Sequence, residues 1–315
     1  MDLLIDIGGT NVRAAAAENG RMTAVRHYRT ASYKTAGEIV ADVLRDEGLT
    51  SVTRVFLAVA GPVKDGRAAL TNADLTVDAG ALTREFGLAG AAVLNDLEAL
   101  AYILADTAGL DASLLTPAKP APGKTAIVIA PGTGLGLGAY LVKDERASVL
   151  STQGGHVRAA PSTPREFALC AALSHDDNYL CAEDLLSGPG IERIYAGLHA
   201  LDGEAPPLPA PNGKEIVERA QIGADARASE TVEIYLSMLG SYCGDMALVF
   251  LSYGGVYLAG NIINGLTPML ADSKLASSFL NKGLMAPLMG EIAFAHVPLE
   301  EPALEGLKAF AAQQS

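Results

Sequence analysis

Two glycine-rich segments of the sequence carry residue types that bind phosphate groups. The first is Asp6–Asn11, DIGGTN, and the second is Pro131–Gly138, PGTGLGLG. Glycine lets the backbone turn at positive φ and brings its N–H groups close to an oxyanion, where a Cβ would stand in the way. A threonine hydroxyl adds a donor to each turn. The candidate phosphate ligands are therefore Gly8, Gly9, Thr10, Asn11, Gly132, Thr133 and Gly134.

Apolar residues on both sides of each glycine turn predict two similar β-hairpins. Leu3–Ile5 and Val12–Ala17 flank the first turn, and Ile127–Ile129 and Ala139–Val142 flank the second. An ordinary hairpin turn would explain either segment alone. Their recurrence, with Asp6 before one copy, favours a duplicated fold and a nucleotide site. Two such turns facing each other across a cleft would hold the β- and γ-phosphates, while Asp6 would hold water on a magnesium ion.

Two other phosphate-loop patterns lack the context that each motif needs. The segment Ala118–Thr125, AKPAPGKT, fits a relaxed P-loop pattern, but it is proline-rich and leads into a strand. A P-loop needs a strand before it and a helix after it. Gly134–Ala139 fits a dinucleotide fingerprint, yet the residues that follow are apolar and strand-like, so no helix would receive a pyrophosphate. We reject both interpretations.

Composition and charge restrict the class of protein. The chain has 315 residues, half of them apolar, which is enough for two globular domains with sizeable cores. A net charge of -13 and a pI of about 4.8 argue against a nucleic-acid partner. Three cysteines without a CxxC pair indicate neither a zinc site nor a disulfide framework, which favours a cytoplasmic location. No secretory signal is predicted, and the apolar stretch Val232–Tyr253 is interrupted by charges, which favours a buried helix over a membrane span.

Alternation of strands and helices along the chain predicts an α/β fold. Residues 2–30 predict an antiparallel meander, and the proline-rich stretch 107–124 predicts a domain boundary before the second hairpin. The predicted domains are residues 1–106 with 301–315, and residues 107–300. Helices are predicted at 36–45, 81–87, 96–105, 164–174, 182–199, 213–222, 228–252 and 302–313, and further strands at 54–60, 91–94 and 255–258. The last helix is expected to pack on the first domain.

Six short motifs follow one another along the chain. They are LIDIGGTN from Leu4, LND from Leu94, PGTGLG from Pro131, GGHV from Gly154, LSGPG from Leu186 and GGVYLAG from Gly254. In this order they resemble the bacterial glucokinase family of the actin-like, hexokinase-type ATPases, and the resemblance covers nearly the whole chain. It implies two actin-like, ribonuclease H-like ATPase domains with a cleft between them, and a homodimeric cytoplasmic kinase that transfers the γ-phosphoryl group of ATP to the 6-hydroxyl of glucose.

Asp96 is the candidate catalytic base. Asn95 and Asp96 stand where a predicted buried strand ends and a helix begins, and open α/β sheets place their ligands at the carboxyl ends of strands. Asp96 would accept the hydroxyl proton as the sugar oxygen attacks, with in-line positioning contributing more than the proton transfer. The alternative role is an N-cap, which Asn and Asp both favour.

The resemblance also implies a set of sugar contacts. Asn95, Asp96, His156 and Glu183 match family positions that bind sugar hydroxyls, although His156 alone would more often be structural and Glu183 fits the first turn of a helix. Gln153 departs from the family, which usually has Glu there. An amide is a weaker acceptor than a carboxylate, so we expect weaker glucose binding or a shifted hexose preference.

On the nucleotide side, the resemblance implies close approach of adenosine to Gly254, Gly255 and Gly260. Asn261 stands where the family often continues with glycine. The expected cofactor is Mg²⁺ with ATP, the magnesium being held by Asp6 through water. Glycine turns read phosphates more than bases, so ADP or polyphosphate remains open as the donor.

Two further readings stay open beside a glucokinase. One is a kinase for another hexose, such as mannose, fructose or an amino sugar, which Gln153 supports. The other is a non-catalytic sugar sensor, since related folds serve as repressors. Such regulators usually carry a basic helix-turn-helix module before the first hairpin, whereas Asp6 lies close to the start of this sequence. A silent sugar-binding protein is disfavoured by Asp96 and by both glycine turns.

Overall fold

The computed structural model describes residues 1–70, 75–144, 146–174 and 179–314. Packing divides the chain into two compact units. Unit 1 comprises Met1–Ala105 and Glu301–Ser315, and unit 2 comprises Asp106–Glu300. Each unit has its own mixed sheet, with helices packed on the sheet.

The sheet of unit 1 begins with the first glycine hairpin. Its strand order is β3-β2-β1-β5-β9, with β4 also pairing with β2. The hairpin strands β1 and β2 are antiparallel, whereas β1, β5 and β9 run parallel. The remaining three strands form a small separate sheet. The strands are β1 (Asp2–Ile7), β2 (Asn11–Glu18), β3 (Arg21–Met22), β4 (Arg26–Arg29), β5 (Arg54–Val59), β6 (Val63–Lys64), β7 (Arg67–Ala69), β8 (Thr76–Asp78) and β9 (Gly90–Asn95).

The helices of unit 1 begin at side-chain caps. α1 (Ala36–Asp46) starts with a capping box in which Thr35 and Glu38 each bond the other's backbone N–H. α2 (Ala79–Phe86) is capped by Asp78. α3 (Asp96–Ala101) follows β9 without a loop and continues as a 3₁₀ turn over Tyr102–Asp106. The predicted helix 96–105 is therefore α-helical only in its first half.

The sheet of unit 2 has the strand order β10-β15-β14-β11-β12-β13. Its hairpin strands β11 and β12 are antiparallel, and β11, β14 and β15 run parallel. From the third hairpin strand onward, this order matches β3-β2-β1-β5-β9 of unit 1, so the predicted duplication of the fold is confirmed. The strands are β10 (Ser113–Leu114), β11 (Ala126–Pro131), β12 (Leu135–Lys143), β13 (Arg146–Ser151), β14 (Gly255–Leu258) and β15 (Phe294–His296).

The helices of unit 2 surround α7, a long helix whose central residues Tyr235, Leu239 and Cys243 are fully buried. None of the helices that the structure describes has both the length and the apolar composition needed to span a bilayer. The helices are α4 (Pro164–Leu173), α5 (Gly188–Leu201), α6 (Gly213–Gln221), α7 (Ala226–Phe250), α8 (Asn261–Leu270), α9 (Leu275–Leu280) and α10 (Ala286–Met289), with 3₁₀ turns at Gly154–His156 and Gly283–Met285.

The predicted helix 182–199 begins later than expected. The segment before Gly188 forms a turn, because the Ser187 side chain caps α5 by accepting the Gly190 N–H at 3.2 Å. Sequence periodicity also did not predict β6–β8, β10, β13, β15 or α8–α10, which are short or lack a clear polar face. The other predicted helices and strands are confirmed to within about two residues.

The final helix, α11 (Pro302–Gln313), packs on unit 1 as predicted. Leu304 and Leu307 are fully buried in a cluster on the sheet of that unit. The Phe310 ring makes edge-to-face contacts with Phe56 and Tyr102, with ring centroids 5.3 and 4.9 Å apart. The C-terminal segment is thus part of the core that supports β1 and β5.

Candidate functional site

Three parallel strands of unit 1 end in register at one edge of its sheet. Ile7 of β1 pairs with Val59 of β5, and Val59 pairs with Asn95 of β9. Asp6 lies one residue before the end of β1, and Asp96 lies one residue after the end of β9. Their carboxylates are close enough that the charge of Asp96 contributes to raising the pKa of Asp6. The two predicted acidic residues therefore come together at the carboxyl edge.

The first glycine turn is held by a residue that the sequence analysis did not single out. The Thr30 hydroxyl donates to the Gly8 carbonyl at 2.7 Å, and the Thr30 N–H donates to the Thr10 carbonyl at 3.0 Å. Thr30 is fully buried, whereas Thr10 and Asn11 are exposed at the turn. Thr30 thereby leaves the Thr10 hydroxyl outside the hairpin's own hydrogen bonding. A Thr at the end of a polar strand gives no sequence signal for this role.

The expectation that these turns use positive φ is wrong. None of Gly8, Gly9, Gly132 and Gly134 has a positive φ. Close approach explains two of them instead. A Cβ on Gly8 would lie 3.2 Å from the Asn11 carbonyl, and a Cβ on Gly134 would lie 2.5 Å from a Glu183 carboxylate oxygen. A side chain at Gly8 would press on the backbone of the turn, and one at Gly134 would displace the Glu183 carboxylate from its present position.

Asp6 is a buried carboxylate with a single guanidinium beside it. Its Oδ2 lies 3.1 Å from Nη1 of Arg13, and Nε of Arg13 lies 2.8 Å from Glu301. Burial raises the pKa of Asp6 from 3.8 to about 6, against the opposing effect of Arg13. A nearby cation would favour the ionised form, so the local chemistry fits a metal ion. Within the described residues, no three His, Cys, Asp or Glu side chains converge on one point.

Asn95 and Asp96 are adjacent residues with different roles at the start of α3. The Asn95 side-chain oxygen accepts the N–H groups of Leu97 and Glu98 at 3.0 and 3.3 Å, and its amide donates to the Gly61 carbonyl at 3.1 Å. Asn95 is therefore the N-cap of α3, and Asp96 is the first residue of the helix. Burial raises the pKa of the Asp96 carboxyl, and hydrogen bonds from the backbone and Asn95 oppose that shift. The helix thus fixes the position of Asp96.

The second glycine turn, in unit 2, is braced from two directions. Within the turn, the Gly132 N–H donates to the Gly134 carbonyl at 2.8 Å. The first N–H of α5, from Gly188, donates to the Gly132 carbonyl at 2.8 Å. The Glu183 carboxylate accepts the Leu135 N–H at 2.8 Å. Thr133 remains exposed at the tip of the turn, beside the N-terminus of a helix, where anions are favoured.

The predicted sugar contacts of unit 2 belong to one connected segment. Gln153 and His156 are both exposed. Gln153 directly precedes the 3₁₀ turn Gly154–His156, and His156 is the last residue of that turn. The Glu183 N–H donates to the Gly155 carbonyl at 2.8 Å, so Glu183 is held against the same turn. The hydroxyl of Tyr179 donates to the His156 carbonyl at 2.5 Å. The structure therefore groups Gln153, His156 and Glu183 beside the second glycine turn.

Gly254 and Gly255 lie apart from that group. Gly254 precedes β14 and Gly255 is its first residue, and the parallel partner β11 runs from Ala126 toward the glycine turn. The Gly254 N–H donates to the Thr125 carbonyl at 2.8 Å, and a Cβ on Gly254 would lie 2.4 Å from the Lys124 carbonyl. Gly254 is thus a packing residue at the amino edge of the sheet, and Gly255 beside it has a φ of +112°, which favours glycine. Gly260 follows β14 at the carboxyl edge, where a Cβ would lie 3.2 Å from the Pro131 carbonyl.

Sequence comparison gives a consistent set of relatives. The family profile described as glucokinase matches residues 3–314. A glucokinase of Sinorhizobium medicae is 33% identical over 311 residues, covering 98% of this chain and 91% of the relative. A glucokinase of Nitrobacter hamburgensis is 32% identical over 306 residues, covering 96% and 94%.

Solved structures share the fold. A glucokinase from an Antarctic psychrotroph superposes with a TM-score of 0.88 at 26% identity, covering 99% of this chain and 98% of that chain. A ROK family glucokinase from Streptomyces griseus, solved with glucose and AMPPNP, superposes with a TM-score of 0.64 at 21% identity, covering 100% and 99%. The predicted fold class, with its actin-like ATPase domains, is confirmed. Because the profile and the relatives match over nearly its whole length, this chain belongs to the glucokinase family.

Proposed function

We propose that this chain transfers the γ-phosphoryl group of ATP to the 6-hydroxyl of glucose. The observation that carries the proposal is the placement of Asp96, a carboxylate fixed at the first position of α3 with Asn95 providing the cap. Membership of the glucokinase family supports the reaction class. The two glycine turns and the residues grouped beside them support a site for phosphates and a polar ligand.

Asp96 is proposed as the catalytic base. Its pKa is raised by burial, which makes the carboxylate a stronger proton acceptor than an exposed Asp. The proton of the 6-hydroxyl would pass to Asp96 as the sugar oxygen forms its bond to phosphorus and the bond to the leaving ADP breaks. The rigid start of α3 supports the in-line geometry on which most of the rate depends.

The proposed sugar contacts are Asn95, Asp96, Gln153, His156 and Glu183. An unmatched buried hydroxyl costs about 1 to 3 kcal/mol, so a fixed set of donors and acceptors discriminates among hexoses. The exposure of Gln153 and His156 supports their availability to a ligand. Asn95 contributes less freely, because its amide already caps α3 and bonds Gly61.

Phosphate binding is proposed at Thr10, Asn11 and Thr133 and at backbone N–H groups of Gly8, Gly9, Gly132 and Gly134, with Gly260 on the adenosine side. The proposed set omits Gly254 and Gly255 because they pack at the opposite edge of the sheet. Asp6 would hold Mg²⁺ through water. When bound, the ion would neutralise charge that develops on the phosphate oxygens. Arg13 beside Asp6 lowers the pKa of that carboxyl and so favours its ionised form.

A coupled assay of ADP release with Mg-ATP against a hexose panel tests the function. We expect glucose-dependent turnover, and we expect Asp96→Asn to lower kcat about 10² to 10⁴-fold while glucose still binds. Asp65→Asn, an exposed turn residue of the same unit, serves as the control and should keep wild-type turnover. Glucose binding without turnover in the wild-type protein would instead support the sensor reading.

A kinase for another hexose remains the second candidate, because Gln153 stands at a proposed sugar contact. Turnover in the same panel with mannose, fructose or an amino sugar, and not with glucose, would favour it. The homodimer and the cytoplasmic location that the resemblance implies stay predictions. Light scattering of the purified protein would test the first, and fractionation of the source cells would test the second.

A further inference from the structure

Glu183 is attached to two functional segments at once. Its backbone N–H donates to Gly155 in the turn that carries His156, at 2.8 Å. Its carboxylate Oε2 accepts the N–H of Leu135, the residue directly after the second glycine turn, also at 2.8 Å. The side chain is half-buried, so part of its surface contacts the protein and part is exposed to solvent. A residue that only bound sugar would not need the second attachment.

The glycine turn is shaped to receive this carboxylate. A Cβ on Gly134 would lie 2.5 Å from Oε2 and 3.1 Å from Cδ of Glu183. The carboxylate therefore occupies the space that any other residue at position 134 would fill. The φ angle of Gly134 is not positive, so backbone conformation does not explain this glycine. Its explanation is the close approach of Glu183.

We infer that Glu183 is a positioning residue for the second glycine turn, in addition to its proposed contact with sugar. This inference rests on the proposed function, since it takes the Gly132–Gly134 turn as a phosphate site. Oε2 fixes the turn through Leu135 and leaves Oε1 for a hydroxyl of the sugar. The same side chain therefore links the sugar-binding segment to the phosphate-binding turn within unit 2.

The consequence is that nucleotide affinity depends on Glu183 even when no sugar is present. A hydrogen bond to a charged acceptor is among the stronger ones in proteins. Without the carboxylate, the turn would keep its internal bond from Gly132 to Gly134 and its bond from Gly188, but it would lose its attachment at Leu135. Its N–H groups would then be less well ordered for a phosphate, which weakens binding.

Calorimetric titration with Mg-AMPPNP in the absence of sugar tests this inference. Glu183→Ala removes the acceptor, so we expect the nucleotide Kd to rise roughly threefold to tenfold. Glu183→Gln keeps a carbonyl that can accept the Leu135 N–H, so its Kd should stay within about twofold of wild type. His156→Asn is the matched control: it alters a proposed sugar contact without touching the glycine turn. It should weaken glucose binding and leave the nucleotide Kd unchanged.

The outcomes separate the inference from the proposed function. Equal nucleotide affinities for wild type, Glu183→Ala and Glu183→Gln would overturn the positioning role while leaving the kinase proposal intact. Failure of the wild-type protein to bind the nucleotide would overturn both. If Glu183→Ala does not fold, Glu183→Asp takes its place, because a side chain one methylene shorter cannot keep the same contact with Leu135. A wild-type affinity for that variant would equally overturn the inference.

Discussion

Asp6 and Arg13 face each other as a cross-strand pair of the β1–β2 hairpin, with Oδ2 3.1 Å from Nη1. Direct pairing places both side chains on the same face of the sheet. Arg13 also contacts Glu301, at the start of the segment that leads into α11. The ionisation of the proposed magnesium carboxylate therefore depends on a residue outside the glycine turn.

Replacing Arg13 should change the magnesium requirement in a pH-dependent way. The pKa of Asp6 is about 6 with Arg13 in place, and loss of the guanidinium removes the main influence that lowers it. If that pKa rises by about one unit, Arg13→Gln should need roughly fivefold more Mg²⁺ for half-maximal activity near pH 6, where Asp6 is about half ionised in wild type. The difference should shrink toward pH 8.5, where Asp6 is ionised in both proteins. Arg13→Lys keeps the charge and is the control, and a requirement that does not vary with pH would contradict this role.

Asp6→Asn should stabilise the metal-free protein while abolishing activity. The folded-state pKa of Asp6, about 6, lies above its ordinary value of 3.8, so the folded state binds more protons than the unfolded state between these values. Asp6 therefore lowers stability progressively as pH rises from about 4 to 6, and the loss persists above 6. The gain on substitution should reach at most about 3 kcal/mol at pH 7.5 and vanish near pH 3.5.

Urea unfolding at both pH values measures that gain. Asp2→Asn is the matched control on the same strand, because Asp2 pairs with Arg54 at 2.6 Å and its substitution should lower stability. Equal unfolding free energies for wild type and Asp6→Asn at pH 7.5 would show that burial of the Asp6 carboxylate does not destabilise the folded protein.

Substitutions of Asn95 should separate its cap from its sugar contact. Asn95→Ala removes the acceptor for Leu97 and Glu98, so we expect a loss of about 1 kcal/mol in the free energy of unfolding without sugar. Asn95→Ser keeps an N-cap oxygen and should retain most of the stability that the Ala variant loses, although the loss of the amide should raise the KM for glucose. Chemical denaturation and steady-state kinetics measure the two effects. A stable Ala variant would argue against the cap.

Gln153→Glu should strengthen glucose binding. A carboxylate in place of the amide provides a charged acceptor, and such hydrogen bonds are roughly twice as strong as neutral ones. We expect the KM for glucose to fall several-fold, with a larger effect on glucose than on the other hexoses of the panel. His27→Gln, at an exposed position of unit 1, controls for a general effect of substitution. An unchanged KM and sugar profile would contradict a specificity role for Gln153.

Sequence patterns were most informative where local periodicity and turn chemistry agree. Both hairpins, α1, α7 and α11 follow from apolar spacing and turn residues, and the position of Asp96 follows from the strand-to-helix junction. Short elements such as β15, with its three buried residues, have too few residues to show a period. A local sequence pattern carries no information on contacts between residues that lie far apart in the chain.

The same limit explains which site residues were misplaced or missed. The sequence pattern predicts a nucleotide turn at Gly254 and Gly255. In the fold, a Cβ on Gly254 would meet the Lys124 carbonyl, and a Cβ on Gly255 would meet the Tyr257 ring. Thr30 and Arg13 act through contacts 20 or more and 7 residues away along the chain, respectively, which only the folded sheet reveals. The reason for Gly134 likewise lies in Glu183, far away in sequence.

The matching strand orders of the two units place Asp6 and Ala130 at equivalent positions, each one residue before the end of the first hairpin strand. Their cross-strand partners are Arg13 and Gly136. One hairpin thus carries a pair of opposite charges where its counterpart carries two of the smallest side chains. The repeat is symmetric in backbone and asymmetric in charge, so the hairpin of unit 2 offers no carboxylate at the position that Asp6 occupies in unit 1.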